Sequence, residues 1–142
     1  QEGHAMFETG TPRIAEAIGW GAAVDWLSNF DMNDVHSHVH NLAYIASEEM
    51  SKIEGIRIFG DPSRSDSSGA VSFLHDSIQS QDLAILLDEG GFAVRTGHHC
   101  AQPLMDALGV PSTNRASFWI YNTEDEVKSF VKHLRYVCDR FS

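Results

Sequence analysis

The sequence predicts an α+β fold, with helices packed on one antiparallel or mixed sheet of three or four short strands. Three observations carry this expectation. Apolar residues recur at helical spacing in two long segments, around 35–53 and 127–141. Four apolar runs of three to six residues lie between clusters of Gly, Pro, Ser and Asp, as short strands do. With 142 residues, 42% of them apolar and 21% charged, the chain fills one domain and needs no disulfide or metal to build a core. The reading is a single domain over 1–142, with residues 1–10 an irregular lead-in.

The elements follow in order. Thr11-Pro12 offers an N-cap hydroxyl and a proline at the first helical position. The helix then runs to about Phe30. Ile14, Ala17, Ile18, Trp20, Ala23, Val24 and Leu27 spread apolar character round most of it, which predicts burial between other elements. Asn33 is placed to cap a second helix reaching about Glu54, with Val35, Val39, Leu42, Ala46, Met50 and Ile53 on one face and Gly55 ending it. Ile56–Phe59 reads as a strand, 60–68 as a polar loop, and Ala70–Leu74 as a second strand. A short helix over Asp82–Leu87 stops at Gly90-Gly91, and Phe92–Val94 is a third strand. A loop, a short helix at Leu104–Leu108 and a fourth strand at Ala116–Tyr121 come next. Thr123-Glu124-Asp125-Glu126 is a capping box, opening a last helix whose stripe is Val127, Phe130, Val131, Leu134, Val137, Cys138 and Phe141. Trp20, Trp26, Trp119 and Cys138 are assigned to the core.

Charge narrows the function. A net charge of −10 argues against nucleic-acid binding, which needs clustered Lys and Arg, and against an anionic membrane surface. Two cysteines, Cys100 and Cys138, are too few for a secreted disulfide scaffold. No apolar run reaches the roughly 18 residues of a membrane span, and no signal segment opens the chain, so a cytoplasmic or organellar (stroma or matrix) location is expected.

Reactive side chains are densest in Arg95-Thr96-Gly97-His98-His99-Cys100-Ala101-Gln102-Pro103. A loop after a strand presents side chains to a cleft, and cationic neighbours favour the thiolate that acts as nucleophile. Composition leaves two readings, a nucleophilic or sulfur-handling Cys100 and an inert buried cysteine. A Cys-His protease is not supported, because adjacent residues on an extended loop diverge and no orienting third group is evident. His36 and His40 share a helix face beside His38, yet no Glu follows in HExxH fashion. A solvated histidine pair is preferred to a metal site.

The motif closely resembles the segment around the active cysteine of SUF-type (group II, SufS/CsdA-like) cysteine desulfurases, fold-type-I pyridoxal-phosphate enzymes of the class-V aminotransferase family. Phe7-Glu8-Thr9-Gly10-Thr11-Pro12 and Arg115-Ala116-Ser117-Phe118 with Tyr121-Asn122-Thr123 match further family segments in the same order. The resemblance covers the whole chain and implies the C-terminal small domain of such an enzyme, a three- to four-stranded sheet covered by helices. It implies that Cys100 takes sulfur from cofactor-bound cysteine as a persulfide, releasing alanine, for sulfur transfer and iron–sulfur cluster assembly. Arg115 would grip the substrate carboxylate, Arg95 would bind substrate in the same site, and His98 and His99 are candidate lining residues. Thr11, with Gly10, would reach the cofactor phosphate of the partner subunit in a homodimer; a plain N-cap is the other reading of Thr11. The short link from Gly97 to Pro103 leaves Cys100 little reach, which fits transfer to a SufE-like acceptor protein.

The large cofactor-holding domain is absent from the sequence. Pyridoxal 5'-phosphate needs a Schiff-base lysine and a carboxylate partner for its ring nitrogen. Lys52, Lys128 and Lys132 are the lysines present, and none lies in a segment resembling that lysine motif. No bound cofactor and no turnover are therefore expected of this chain alone. A free-standing persulfide carrier and a non-catalytic interaction domain are the alternatives.

Overall fold

The computed structural model describes residues 3–7 and 10–141. The chain divides into two compact units, Gln1–Met32 and Asn33–Ser142. Glu8 and Thr9, within the first family-like segment, lie outside the described residues.

In the first unit a 3-10 turn spans Gly3–Met6, inside the segment expected to be irregular, and helix α1 spans Ile14–Leu27. Arg13 is its N-cap, and no side chain makes the capping bond. The Ile14 amide instead donates to the Pro12 carbonyl at 2.9 Å, so Thr11 stands before the helix rather than capping it. None of the α1 side chains is buried, contrary to the expectation from its apolar circumference; Trp20 and Trp26 are 75% and 55% exposed. Periodicity reports which side chains favour burial, not whether a given segment of chain covers them.

The second unit holds the remaining elements. Helix α2 is Met32–Met50, strand β1 Ile56–Phe59, β2 Ala70–His75, helix α3 Ser80–Glu89, and β3 Arg95–Gly97. Helix α4 is Gln102–Leu108, β4 Thr113–Ser117 and α5 Glu124–Phe141. The four strands form one sheet ordered β1-β2-β4-β3, antiparallel throughout. The α+β expectation therefore holds.

Side chains alternate between the two faces of the sheet. Val71, Phe73, Asn114 and Ala116 face the core, where Leu42, Met50, Leu83, Leu87 and Leu134 are fully buried. Each such Leu stabilises the fold by about 1.5–3 kcal/mol relative to exposure. Phe130 of α5 meets the Phe73 and Phe92 rings edge-on, at centroid distances of 6.3 and 5.8 Å. The predicted α2 stripe is buried throughout, and Cys138 is 2% exposed, as expected of a core residue. Burial pushes the Cys138 thiol up to about 11.

The capping box forms in both directions. The Thr123 amide donates to Glu126 Oε2 at 2.8 Å, and the Glu126 amide donates to Thr123 Oγ1 at 3.2 Å. Phe141, placed on the buried stripe by the sequence, is 50% exposed where the helix ends. Asn33 lies within the first turn of α2 instead of capping it. Gly55 has φ +78°, and an added Cβ there would lie 2.5 Å from His75 Nε2, so the turn into β1 requires glycine.

Two strands are displaced from their predicted positions. Phe92 and Val94 pack against the core without joining the ladder, which falls on Arg95–Gly97 instead. The fourth strand is Thr113–Ser117 rather than Ala116–Tyr121, and Trp119 beyond it is 39% exposed. Among the described residues no helix is long and apolar enough to cross a membrane.

Candidate functional site

The outer face of the sheet carries the site. Register pairs Ser72 of β2 with Arg115 of β4, and Arg115 with Arg95 of β3. These three side chains therefore leave the sheet on one side, in a row across its strands. Two rungs from Arg115 on β4, Thr113 shares that face with its partner Gly97.

Gly97, at φ +110°, turns the chain out of β3, and Gln102 begins α4 with Pro103 in its first turn. The link between them is too short to loop outward. The Ala101 amide closes a turn onto the His98 carbonyl at 2.9 Å. His99 and Cys100 both take left-handed backbone, with φ of 57° and 61°. Such a conformation costs a non-glycine residue roughly 1–2 kcal/mol, so the surroundings must hold it.

His99 supplies that hold. Its Nε2 lies 2.9 Å from Thr113 Oγ1 and 3.1 Å from the Thr113 carbonyl, with the ring folded onto the outer face of β4. A carbonyl only accepts, so Nε2 carries the hydrogen. Burial, then the guanidinium of Arg115, holds the imidazole below its ordinary 6.5, with smaller contributions from Arg95 and His98. His99 is thus a neutral anchor rather than a cationic neighbour of the thiol. His98 is exposed at the turn.

Cys100 is exposed, and the Arg95 guanidinium donates from Nη2 to its Sγ at 3.3 Å. Arg115 is half-buried with Nε unpartnered, and it lines a cavity of about 310 Å³ with Ser72, Ser67 and Asp61. Among the described residues no carboxylate lies within ion-pair distance of Arg95 or Arg115. Two guanidiniums without an ion-pair partner, beside an accessible sulfur, suit a small anionic molecule that presents a carboxylate and reacts at the thiol.

The structure thus unites Cys100, Arg95, Arg115 and His99, which the sequence marked. It adds Thr113 and Ser72, which the sequence did not, because cross-strand register alone brings them in. Gly10 and Thr11 are exposed residues of the first unit.

The histidines of α2 have another task. Nε2 of His36 lies 2.9 Å from the Ser65 carbonyl, and Nε2 of His40 lies 2.9 Å from the Arg64 carbonyl. His38 Nε2 lies 3.0 Å from the Asn122 carbonyl. The imidazoles link two loops to α2 while His36 and His38 stay exposed to solvent. Among the described residues no group of three or more His, Cys, Asp or Glu is arranged to hold a metal ion.

Comparison with known proteins points one way. Residues 1–130 match the family described as aminotransferase class-V. The chain is 44% identical over 128 residues to a probable cysteine desulfurase of Halalkalibacterium halodurans, covering 90% of this chain and 31% of that protein. It is 46% identical over 125 residues to a cysteine desulfurase of Haloferax volcanii, covering 88% and 29%. Two solved structures share the fold. The cysteine desulfurase CsdA of Escherichia coli, in its S-sulfonic acid form, superposes with a TM-score of 0.88 at 37% identity, over 95% of this chain and 33% of its own. The apo cysteine desulfurase of Thermococcus onnurineus superposes with a TM-score of 0.90 at 32% identity, over 99% and 35%. The chain spans about a third of the length of these relatives.

Proposed function

Because the chain belongs to the class-V aminotransferase family and is homologous to the C-terminal region of cysteine desulfurases, we propose that it is the sulfur-accepting lobe of such an enzyme. In this reading L-cysteine yields L-alanine, and its sulfur passes to Cys100 as a persulfide. The observation that carries it is the row on the outer sheet face, where an accessible Cys100 thiol touches Arg95 directly across the ladder from Arg115.

Each residue has a task its chemistry suits. Arg115 offers a planar, permanently charged fork to the substrate carboxylate, with the neighbouring cavity to receive it. Cys100 supplies the electron pair that forms the new S–S bond. His99, tied to Thr113, holds the two left-handed residues that aim the sulfur.

The family's cofactor, pyridoxal phosphate, supplies the electron sink for breaking the substrate's bonds. The residues present do not fit the task of holding it. Lys52 is paired with Glu49, Lys128 lies 3.5 Å from Glu124, and both are exposed, as is Lys132. None belongs to the row formed by Ser72, Arg115 and Arg95. In the proposed enzyme, cofactor binding falls to protein outside these 142 residues, with Thr11 and Gly10 contributing to the phosphate across a homodimer. An exposed Cys100 on a short link also suits delivery to a SufE-like acceptor, for iron–sulfur cluster assembly.

The test begins with the native protein in its source cells, traced through a peptide containing Cys100. A parent much heavier than 15.7 kDa is expected. Given cysteine, that parent should form alanine and gain one sulfur atom on Cys100. A parent that forms alanine at full rate after Cys100→Ser, with no sulfur on the lobe, overturns the proposal.

A further inference from the structure

Arg95 and Arg115 occupy the same rung of neighbouring antiparallel strands. Like charges so placed repel, and no acid of the described residues lies within ion-pair distance of either. Their surroundings nevertheless differ. Arg115 is half-buried and borders the 310 Å³ cavity with Ser72, whereas Arg95 is exposed on the edge strand and donates to a sulfur atom. The pair is therefore a divided anion site, one guanidinium facing the cavity and the other facing Cys100.

We infer that Arg95 is the sulfur-holding residue of the site, and that its guanidinium retains the charged outer sulfur of the Cys100 persulfide. The inference rests on the reading of Cys100 as sulfur acceptor and adds a separate task for Arg95. Three features support it. Nη2 already donates to Sγ at 3.3 Å. A guanidinium presents several donors in one plane, so a sulfur bonded beyond Sγ meets a second N–H without a change of side-chain position. The left-handed pair His99-Cys100, fixed through Thr113, keeps Sγ over Arg95 rather than letting it sweep the surface.

The loading step balances without a cofactor when the donor is a small thiol persulfide, R–S–SH. The Cys100 thiolate gives its electron pair to the outer sulfur, forming the new S–S bond. The donor's S–S bond breaks, and R–S⁻ leaves with that pair and takes up a proton from water. Cys100 becomes a persulfide, with its outer sulfur beside Arg95.

The experiment equilibrates the 142-residue chain with mixtures of a small thiol persulfide and its parent thiol. The fraction of Cys100 carrying one extra sulfur is then read by mass spectrometry. Arg95→Gln should need a donor-to-thiol ratio up to about fivefold higher to half-load Cys100, the scale of one solvent-exposed charge interaction. Arg95→Lys, which keeps the charge but loses the fork, should fall between the two, and it gives the same readout if Arg95→Gln does not fold. Arg57→Gln removes a cation from β1 of the same sheet and should leave the ratio unchanged. Equal half-loading ratios for the wild type and both Arg95 variants overturn the inference while leaving Cys100 as acceptor. A wild-type chain that gains no sulfur at any ratio overturns both.

Discussion

Arg95 and Arg115 stand directly opposite each other across β3 and β4, two guanidiniums on one rung without an intervening acid among the described residues. A like-charged cross-strand pair costs roughly 0.2–1 kcal/mol. The Arg115 Nε is also buried without a partner. Arg115→Gln should therefore raise the urea midpoint at low ionic strength, and the gain should shrink as salt screens the repulsion. In the proposed desulfurase the same substitution should raise the cysteine concentration needed for half-maximal rate. A loss of stability beyond about 1 kcal/mol would mean that Arg115 is held by structure rather than kept for a ligand.

The His99–Thr113 contact should be visible in the stability of the lobe. Thr113→Val removes the hydroxyl at nearly constant volume and should cost about 1 kcal/mol, measured by denaturant unfolding. Thr113→Ser retains the oxygen and should recover most of that loss. The rate at which a small alkylating reagent labels Cys100 should change in Thr113→Val and return in Thr113→Ser.

The same imidazole gives the lobe an acid-sensitive element. Burial and Arg115 hold the His99 value in the folded chain below 6.5. The unfolded chain therefore binds the extra proton first as pH falls. The contribution of His99 is complete above about pH 6.5 and is lost as the pH drops from there toward the folded value. Unfolding midpoints should fall over that range in the wild type. His99→Gln, which keeps an N–H near the position of Nε2, should flatten the dependence.

Some of this was legible in the sequence for identifiable reasons. The α5 helix was plain because its capping box and its stripe are local, with every partner inside one helical turn. The cluster around Cys100 was legible because its polar and reactive side chains are neighbours in the chain. The strand at Phe92–Val94 was misplaced because those apolar side chains pack sideways, Phe92 against Phe130 and His133, while the ladder falls on polar residues of an edge strand. Thr113 and Ser72 left no trace in the sequence, since their role comes from register with residues far along the chain. The tryptophans of α1 misled because composition registers a preference for burial without supplying the cover.

The two cysteines should separate cleanly under alkylation. Cys100 is exposed, whereas Cys138 is 2% exposed with its thiol pushed up to about 11, mainly by burial. Near neutral pH the folded chain should take one label, on the Cys100 peptide. The second should appear only with unfolding, because both access and the thiolate are denied to Cys138 in the core. Gly55→Ala offers a way to open that core: the new methyl meets the His75 ring at 2.5 Å from Nε2, in a left-handed turn that disfavours any Cβ. The substitution should cost more than about 1 kcal/mol and bring Cys138 labelling forward in denaturant. If Cys138 is labelled at neutral pH in the undisturbed wild type, the packing of α5 against the sheet is looser than the structure shows, and the assignment of all sulfur uptake to Cys100 would need a Cys138→Ala background.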